Sequence, residues 1–170
     1  MTAVNSNRVW LITGCARGLG WALARAVLER GECVVGTARE PGQLAALVTE
    51  FPTRFRAFPL DLSDTSRVGA VVREGAEAFG RLDVVVNNAG AGLIGALEEL
   101  DGAQIRATFE INFFGAVEVM RAALPIMRGQ RRGHFVTLSA AAALGNYPGF
   151  SIYGATKWAL EGVAESLAAE

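Results

Sequence analysis

The sequence predicts an α/β fold, a doubly wound parallel sheet within a single domain, on three observations. Strand-like and helix-like segments alternate from one end of the chain to the other. The strand-like segments are continuous apolar runs such as Val84-Val85-Val86, the pattern of parallel strands covered on both faces, rather than the alternating pattern of a half-exposed sheet. A glycine-rich turn joins the first strand to the first helix.

The elements follow in order. Residues 9–13 form a short apolar run with β-branched side chains, and after Gly14 the apolar positions Leu19, Ala22, Leu23, Ala26 and Val27 recur at helical spacing. Gly31 stands where a helix C-terminus favours a residue free to adopt positive φ, and residues 33–37 supply the second strand. The alternation continues with a helix over 43–51, a strand over 55–60, a helix capped by Asp64 and running to Phe79, and a strand over 82–86. One long helix is expected over 101–127, with Pro125 bending its last turns. Residues 134–138 make a fifth strand, and 153–170 a final helix. No repeat, low-complexity tract or linker interrupts the pattern, so residues 1–170 read as one domain. The last helix ends with neither a glycine nor a basic turn, the pattern expected of a chain cut before its last strands, which would leave the edge over 134–138 unpaired.

Composition narrows the function. A chain of 170 residues is long enough to bury roughly 70% of its unfolded surface in one core. Its 16 Lys and Arg against 17 Asp and Glu give no basic field for nucleic acid or an anionic membrane, so a small-molecule partner is expected. The apolar fraction of 51% is distributed in short runs, far below the roughly 20 residues that span a bilayer. The N-terminus shows no signal-peptide core, which makes the cytoplasm the expected compartment and keeps Cys15 and Cys33 reduced. His134, the single histidine, has no partner at metal-ligand spacing and is expected to be structural, so no metal site is expected. Trp10, Trp21 and Trp158 are expected to pack, and Cys15 to act as a small filler inside the turn.

The turn reads Thr13-Gly14-Cys15-Ala16-Arg17-Gly18-Leu19-Gly20. Glycines there let backbone approach a pyrophosphate closely, and the following helix offers free N–H groups and the positive end of its dipole. Set between a strand and a helix inside a βαβ unit, the turn marks a Rossmann-type dinucleotide site. NAD-using sites present an acid at the end of the second strand to bind the ribose 2′-hydroxyl, whereas a 2′-phosphate needs a cation there. This chain reads Gly36-Thr37-Ala38-Arg39, with no acid before Glu40 and with Arg17 available from the turn. NADP(H) is therefore expected over NAD(H). Two charge-assisted contacts at about 1.5–3 kcal/mol each correspond to a preference of about a hundredfold or more.

Four motifs in order, the TGxxxGxG turn, Asp61-Leu62, Asn87-Asn88-Ala89-Gly90 and Tyr153-x-x-x-Lys157, resemble the short-chain dehydrogenase/reductase family from about Arg8 to the end of the chain. The resemblance implies an oxidoreductase that moves a hydride between the cofactor and a carbonyl or secondary alcohol. It implies that Asp61 and Leu62 border the adenine ring and that Asn88, Ala89 and Gly90 line the nicotinamide side. It also implies that Asn112 holds a water in a proton relay, and that the long and last helices form a homodimer or homotetramer.

The pair itself has independent logic. Tyr153 and Lys157 share a helical face, and an ammonium about 4 Å from a phenol in an effective dielectric near 20 favours the ionised phenol by about 4 kcal/mol. Tyr153 then serves as acid or base. The family's catalytic serine lies thirteen residues before the tyrosine, and that position is Ala140, with Ser139 beside it on the opposite face of a strand. The alternative reading is accordingly a catalytically impaired NADP(H)-binding module, a sensor or scaffold.

Overall fold

The computed structural model describes residues 7–170. Five parallel strands, β1 (Val9–Ile12), β2 (Cys33–Ala38), β3 (Phe55–Pro59), β4 (Val84–Asn87) and β5 (His134–Thr137), lie in the order β3-β2-β1-β4-β5. The crossovers carry α1 (Gly18–Glu29), α2 (Ala45–Glu50), α3 (Val68–Phe79), α4 (Gly102–Phe109) and α5 (Gly115–Gln130), and β5 is followed by α6 (Ala141–Leu144) and α7 (Ser151–Ala169).

Because successive strand residues face opposite sides, each strand feeds two cores. Leu11, Val35 and Val85 point to the side of α3 and α5, against Val71, Val72, Val119 and Ala123. Ile12, Val34, Val84 and Val86 point to the other, against Ala24, Val27, Leu28 and Leu47. This double covering is why the strands read as unbroken apolar runs. The chain leaves β1 toward β2 and β3, then returns to place β4 on the other side of β1. Connections therefore diverge at the carboxyl ends of β1 and β4, opening a crevice there.

At the opposite end of the sheet Asp83 is a buried clamp. It accepts from the Val9 backbone N–H at 2.9 Å and from Arg81 Nε and Nη2 at 2.7 Å, and pairs with Arg132 at 2.8 Å. Burial alone would raise its carboxyl pKa, but the hydrogen bonds from Arg81 and Val9 and the two guanidinium charges outweigh it and hold the group below its ordinary value.

Several expectations are corrected. The helix over 101–127 is three pieces: α4, a π-helical turn over Glu110–Phe114, and α5, which continues past Pro125 to Gln130. One extra residue in a π-turn barely disturbs the apolar spacing, so the sequence pattern does not reveal it. Helix 43–51 is a 3₁₀ turn over Pro41–Leu44 followed by α2, β4 starts two residues later than expected and includes Asn87, and the short α6 was not expected. Trp158 is 59% exposed rather than packed, whereas Trp10 and Trp21 lie against the core. Gly31 and Gly80 do take positive φ at helix ends, +85° and +73°. Among the described residues β5 is a sheet edge, and no helix is long and apolar enough to cross a membrane.

Candidate functional site

The crevice at the β1/β4 switch point is built on the glycine turn. Gly14, at φ +74°, redirects the chain after β1, and the next N–H, that of Cys15, donates to the Thr37 carbonyl at 2.8 Å. Gly20 lies in the first turn of α1, where a Cβ would fall well inside van der Waals contact of Asn88 Nδ2 and the Gly14 carbonyl. Thr13 Oγ1 accepts from the N–H groups of Asn88 (3.1 Å) and Ala89 (3.0 Å), and Asn88 Nδ2 donates to the carbonyls of Thr13 (2.8 Å) and Gly14 (3.2 Å). The ends of β1 and β4 are thereby locked to each other with bare backbone left facing the crevice. The Asn88 side chain serves this lock, while Ala89 and Gly90 line the space.

The cleft has a volume of about 790 Å³. Gly14, Arg17, Gly18, Leu19 and Gly20 border it on one side, and Arg39, Asp61, Leu62 and the Asn88–Gly90 stretch border it on the others, so the structure brings these expected residues together. Arg17 and Arg39 are exposed, and neither makes an ion pair among the described residues. The Asp61 carboxyl is held below its ordinary value by hydrogen bonds from the Ser63 N–H and hydroxyl, with Arg39 adding a favourable charge. Thr37, near the end of β2, Gln43, in the 3₁₀ turn that follows it, and Ala91, in the loop after β4, also border the cleft and had no sequence signal of their own.

Tyr153 and Lys157 stand on α7, one turn apart. Lys157 is 4% exposed, and its Nζ donates to the Leu138 carbonyl at 2.9 Å. The ammonium lies 6.0 Å from the Tyr153 ring centroid. Burial lowers the lysine pKa, and no carboxylate offsets it. Phe150 meets Tyr153 edge-on at 6.2 Å, fixing the face the phenol presents. Neither residue of the pair is among those bordering the cleft, but Gly90 brings Lys157 beside it: a Cβ there would stand 3.2 Å from Asn112 Oδ1 and 3.6 Å from Lys157 Nζ.

Asn112 projects from the π-turn. Its Oδ1 accepts from the Ala91 N–H at 2.7 Å, and its Nδ2 donates to the Ala91 carbonyl at 2.9 Å and to Thr156 Oγ1 at 3.1 Å. Both amide protons are therefore occupied by protein. Thr13 and Thr156 stand out only in the fold, although one precedes the glycine turn and the other lies inside the Tyr153-to-Lys157 spacing.

Ala140 caps α6 in an extended conformation and offers only a methyl group. Ser139, its neighbour, borders a separate groove with Thr137, Leu160 and Glu161, and its hydroxyl is buried without a hydrogen-bond partner among the described residues. The Cys15 thiol is buried, donates to the Ile12 carbonyl at 3.1 Å, and is pushed up to about 12 by burial, with a backbone hydrogen bond to Thr37 acting the other way. It is a packed, inert filler. His134 is exposed at the start of β5, and no cluster of three or more metal-ligating side chains exists among the described residues.

Comparison with known proteins agrees with this architecture. The profile of the short chain dehydrogenase family matches residues 8–170. The oxidoreductase BOA17 of Botryotinia fuckeliana (strain B05.10) is 44% identical over 166 residues, which span 96% of this chain and 60% of that protein. A short-chain dehydrogenase structure from Streptomyces avermitilis superposes with a TM-score of 0.94 at 41% identity, covering 97% of this chain and 61% of that one. A Burkholderia phymatum short-chain dehydrogenase/reductase solved with NAD (31% identity, TM-score 0.89, 95% and 59% covered) and a metagenomic short-chain oxidoreductase solved with NADP (33%, 0.88, 95% and 75%) are also similar. The chain spans about 60% of the length of the first curated relatives it matches. On the profile match and the shared architecture, the chain belongs to the short-chain dehydrogenase family.

Proposed function

We propose that the protein is an oxidoreductase that transfers a hydride between NADP(H) and a small carbonyl or secondary alcohol, with Tyr153 as the acid/base group. The observation that carries this reading is that Gly90, on the cleft, lies beside both Asn112 and Lys157, so that the helix carrying Tyr153 stands next to the cleft. The residues fit a dinucleotide. Gly20 lets α1 pack directly against Asn88 and the Gly14 carbonyl, a close approach that builds the cradle, α1 presents its N-terminus to a pyrophosphate, and Arg17, in the turn, and Arg39, after the second strand, are cations on the cleft with no ion pair among the described residues.

The nicotinamide supplies or accepts the hydride. Tyr153 delivers a proton from its hydroxyl to the carbonyl oxygen as the alcohol forms, or removes it in the reverse direction. Lys157, held by Leu138, places a buried positive charge near the developing phenolate. Asn112 shapes the loop next to the nicotinamide side through Ala91; because its side-chain protons are occupied, a relay water would bind its backbone. The exposed side chains of Phe114 and Trp158, on the π-turn and α7, support self-association along these helices.

The test is a titration with NADPH and NADH, paired with turnover of simple ketones by the parent and by Tyr153→Phe. Tight binding that prefers NADPH, with turnover lost in the variant and cofactor affinity within about threefold, is expected. Equal turnover by the variant overturns the mechanism, and absence of binding to either nucleotide overturns the cofactor assignment.

A second reading, an NADP(H)-binding module with little catalysis, is favoured by Ala140, since the position that would carry a hydroxyl donor to the substrate carbonyl lacks one. Loss of one such donor costs about a hundredfold to a thousandfold in turnover. A gain of that order in Ala140→Ser assigns the chain to a weakened enzyme, and no gain assigns it to the module.

A further inference from the structure

Thr156 lies between Tyr153 and Lys157 in sequence, and it is fully buried, at 0% exposure. Its hydroxyl donates to the Tyr153 carbonyl at 2.7 Å and accepts from Asn112 Nδ2 at 3.1 Å. A hydroxyl is suited to this place because it gives and takes a hydrogen bond at once, where a methyl does neither. From Asn112 the connection continues to both backbone polar groups of Ala91, which borders the cofactor cleft. One line of hydrogen bonds thus runs from the turn of α7 that carries Tyr153 to the loop after β4. Among the described residues, the Thr156 contact with Asn112 is the side-chain hydrogen bond joining α7 to the π-turn.

We infer that Thr156 is a positioning residue for the acid/base step, setting the distance between Tyr153 and the nicotinamide side of the cleft through Asn112 and Ala91. This rests on the reading of Tyr153 and Lys157 as the acid/base pair. Removing the hydroxyl leaves a buried Asn112 N–H without a partner, so α7 and the π-turn must shift or admit water. Displacement of about 1 Å at a reacting group is enough to cost about a hundredfold in rate.

The test compares Thr156→Val, close in shape, with Thr156→Ser, which keeps the hydroxyl. Thr156→Val is expected to lower kcat by about 10–100-fold, to leave the KM for NADPH within about threefold, and to displace the alkaline limb of the kcat–pH profile. Thr156→Ser is expected to retain kcat within about threefold and the parent profile. Parent-like kcat in Thr156→Val overturns the inference. So does equal damage in both variants, which would assign the effect to the packing around a fully buried side chain rather than to its hydroxyl. If Thr156→Val does not fold, Thr156→Ala carries the same readouts. If the parent shows no turnover, the reading of the pair fails separately, and the strap is judged by hydrogen exchange at the Ala91 amide in the NADPH-bound protein. Faster exchange in Thr156→Val than in Thr156→Ser supports the strap, and equal exchange overturns it.

Discussion

The Lys157 ammonium and the Leu138 carbonyl are joined by a 2.9 Å hydrogen bond that ties α7 to the residue just beyond β5. A neutral carbonyl is a weak partner for a buried cation, so the charge remains available to groups in the adjoining site. Lys157→Met, which preserves most of the volume and removes the charge, should lower kcat for ketone reduction by at least about a hundredfold and weaken NADPH binding, with the fold intact by circular dichroism. Turnover within a few-fold of the parent would sink the role assigned to the ammonium.

Arg17 and Arg39 face the same cleft, exposed and with no ion pair among the described residues. Replacing either by Ala should weaken NADPH binding by about tenfold or more while leaving NADH affinity within about twofold, because only NADPH carries the 2′-phosphate. Titrations at two ionic strengths check it: exposed charges are screened, so the parent's preference should shrink with salt and the double variant's should not. Equal weakening toward both nucleotides would move the arginines from the 2′-phosphate to the pyrophosphate.

Two glycines separate close approach from mere flexibility. Gly20→Ala would drive its Cβ into Asn88 and the Gly14 carbonyl, whereas Gly42→Ala, in the 3₁₀ turn before α2, meets open space at ordinary φ. Gly20→Ala should abolish NADPH binding and lower the melting temperature, and Gly42→Ala should change neither measurably. Thermal melts with and without NADPH read both effects, and an unaltered ligand-induced shift in Gly20→Ala would contradict the cradle.

The strands, their parallel arrangement and the residues that border the cleft were legible because each has a local signature. Val84 to Val86 are apolar on both faces, Gly14 to Gly20 have a fixed spacing, and Arg39 follows directly on a strand end. What was not legible depends on contacts distant in sequence. The π-turn around Asn112 makes sense only with Ala91 and Thr156 in place, partners separated from it by 21 and 44 residues. Helical spacing put Lys157 near Tyr153 but said nothing of its tether to Leu138, and no local pattern marks Ser139 as facing a groove away from the cofactor cleft. Trp158 departs from expectation because a helix position compatible with packing need not have anything packed on it.

Cys15 lies within the glycine-rich turn after β1, where burial pushes its thiol up to about 12. The thiolate is the reactive species, so iodoacetamide at pH 8 should leave Cys15 unmodified in the folded protein and alkylate it readily in urea. Mass spectrometry after timed labelling decides it. Labelling of native Cys15 that NADPH blocks would show that the turn opens in the absence of cofactor.

Asp83 gives the stability of the fold an expected dependence on acid. Burial acts to raise its carboxyl, yet the hydrogen bonds of Arg81 and Val9 and the charges of Arg81 and Arg132 hold it below the ordinary 3.8. A carboxylate with a depressed folded-state pKa contributes its full stabilisation above the unfolded value and loses it as pH falls through the folded one. Asp83→Asn removes the charge, leaves two arginines without their anionic partner, and should cost about 2–4 kcal/mol at pH 7. The difference in unfolding free energy between parent and variant should stay constant from pH 7 down to about 4 and shrink below that. Urea melts across this range measure it. A difference that persisted unchanged down to a pH of about 2 would mean that the amide introduced by Asp83→Asn disrupts packing rather than electrostatics, and the clamp would then be steric.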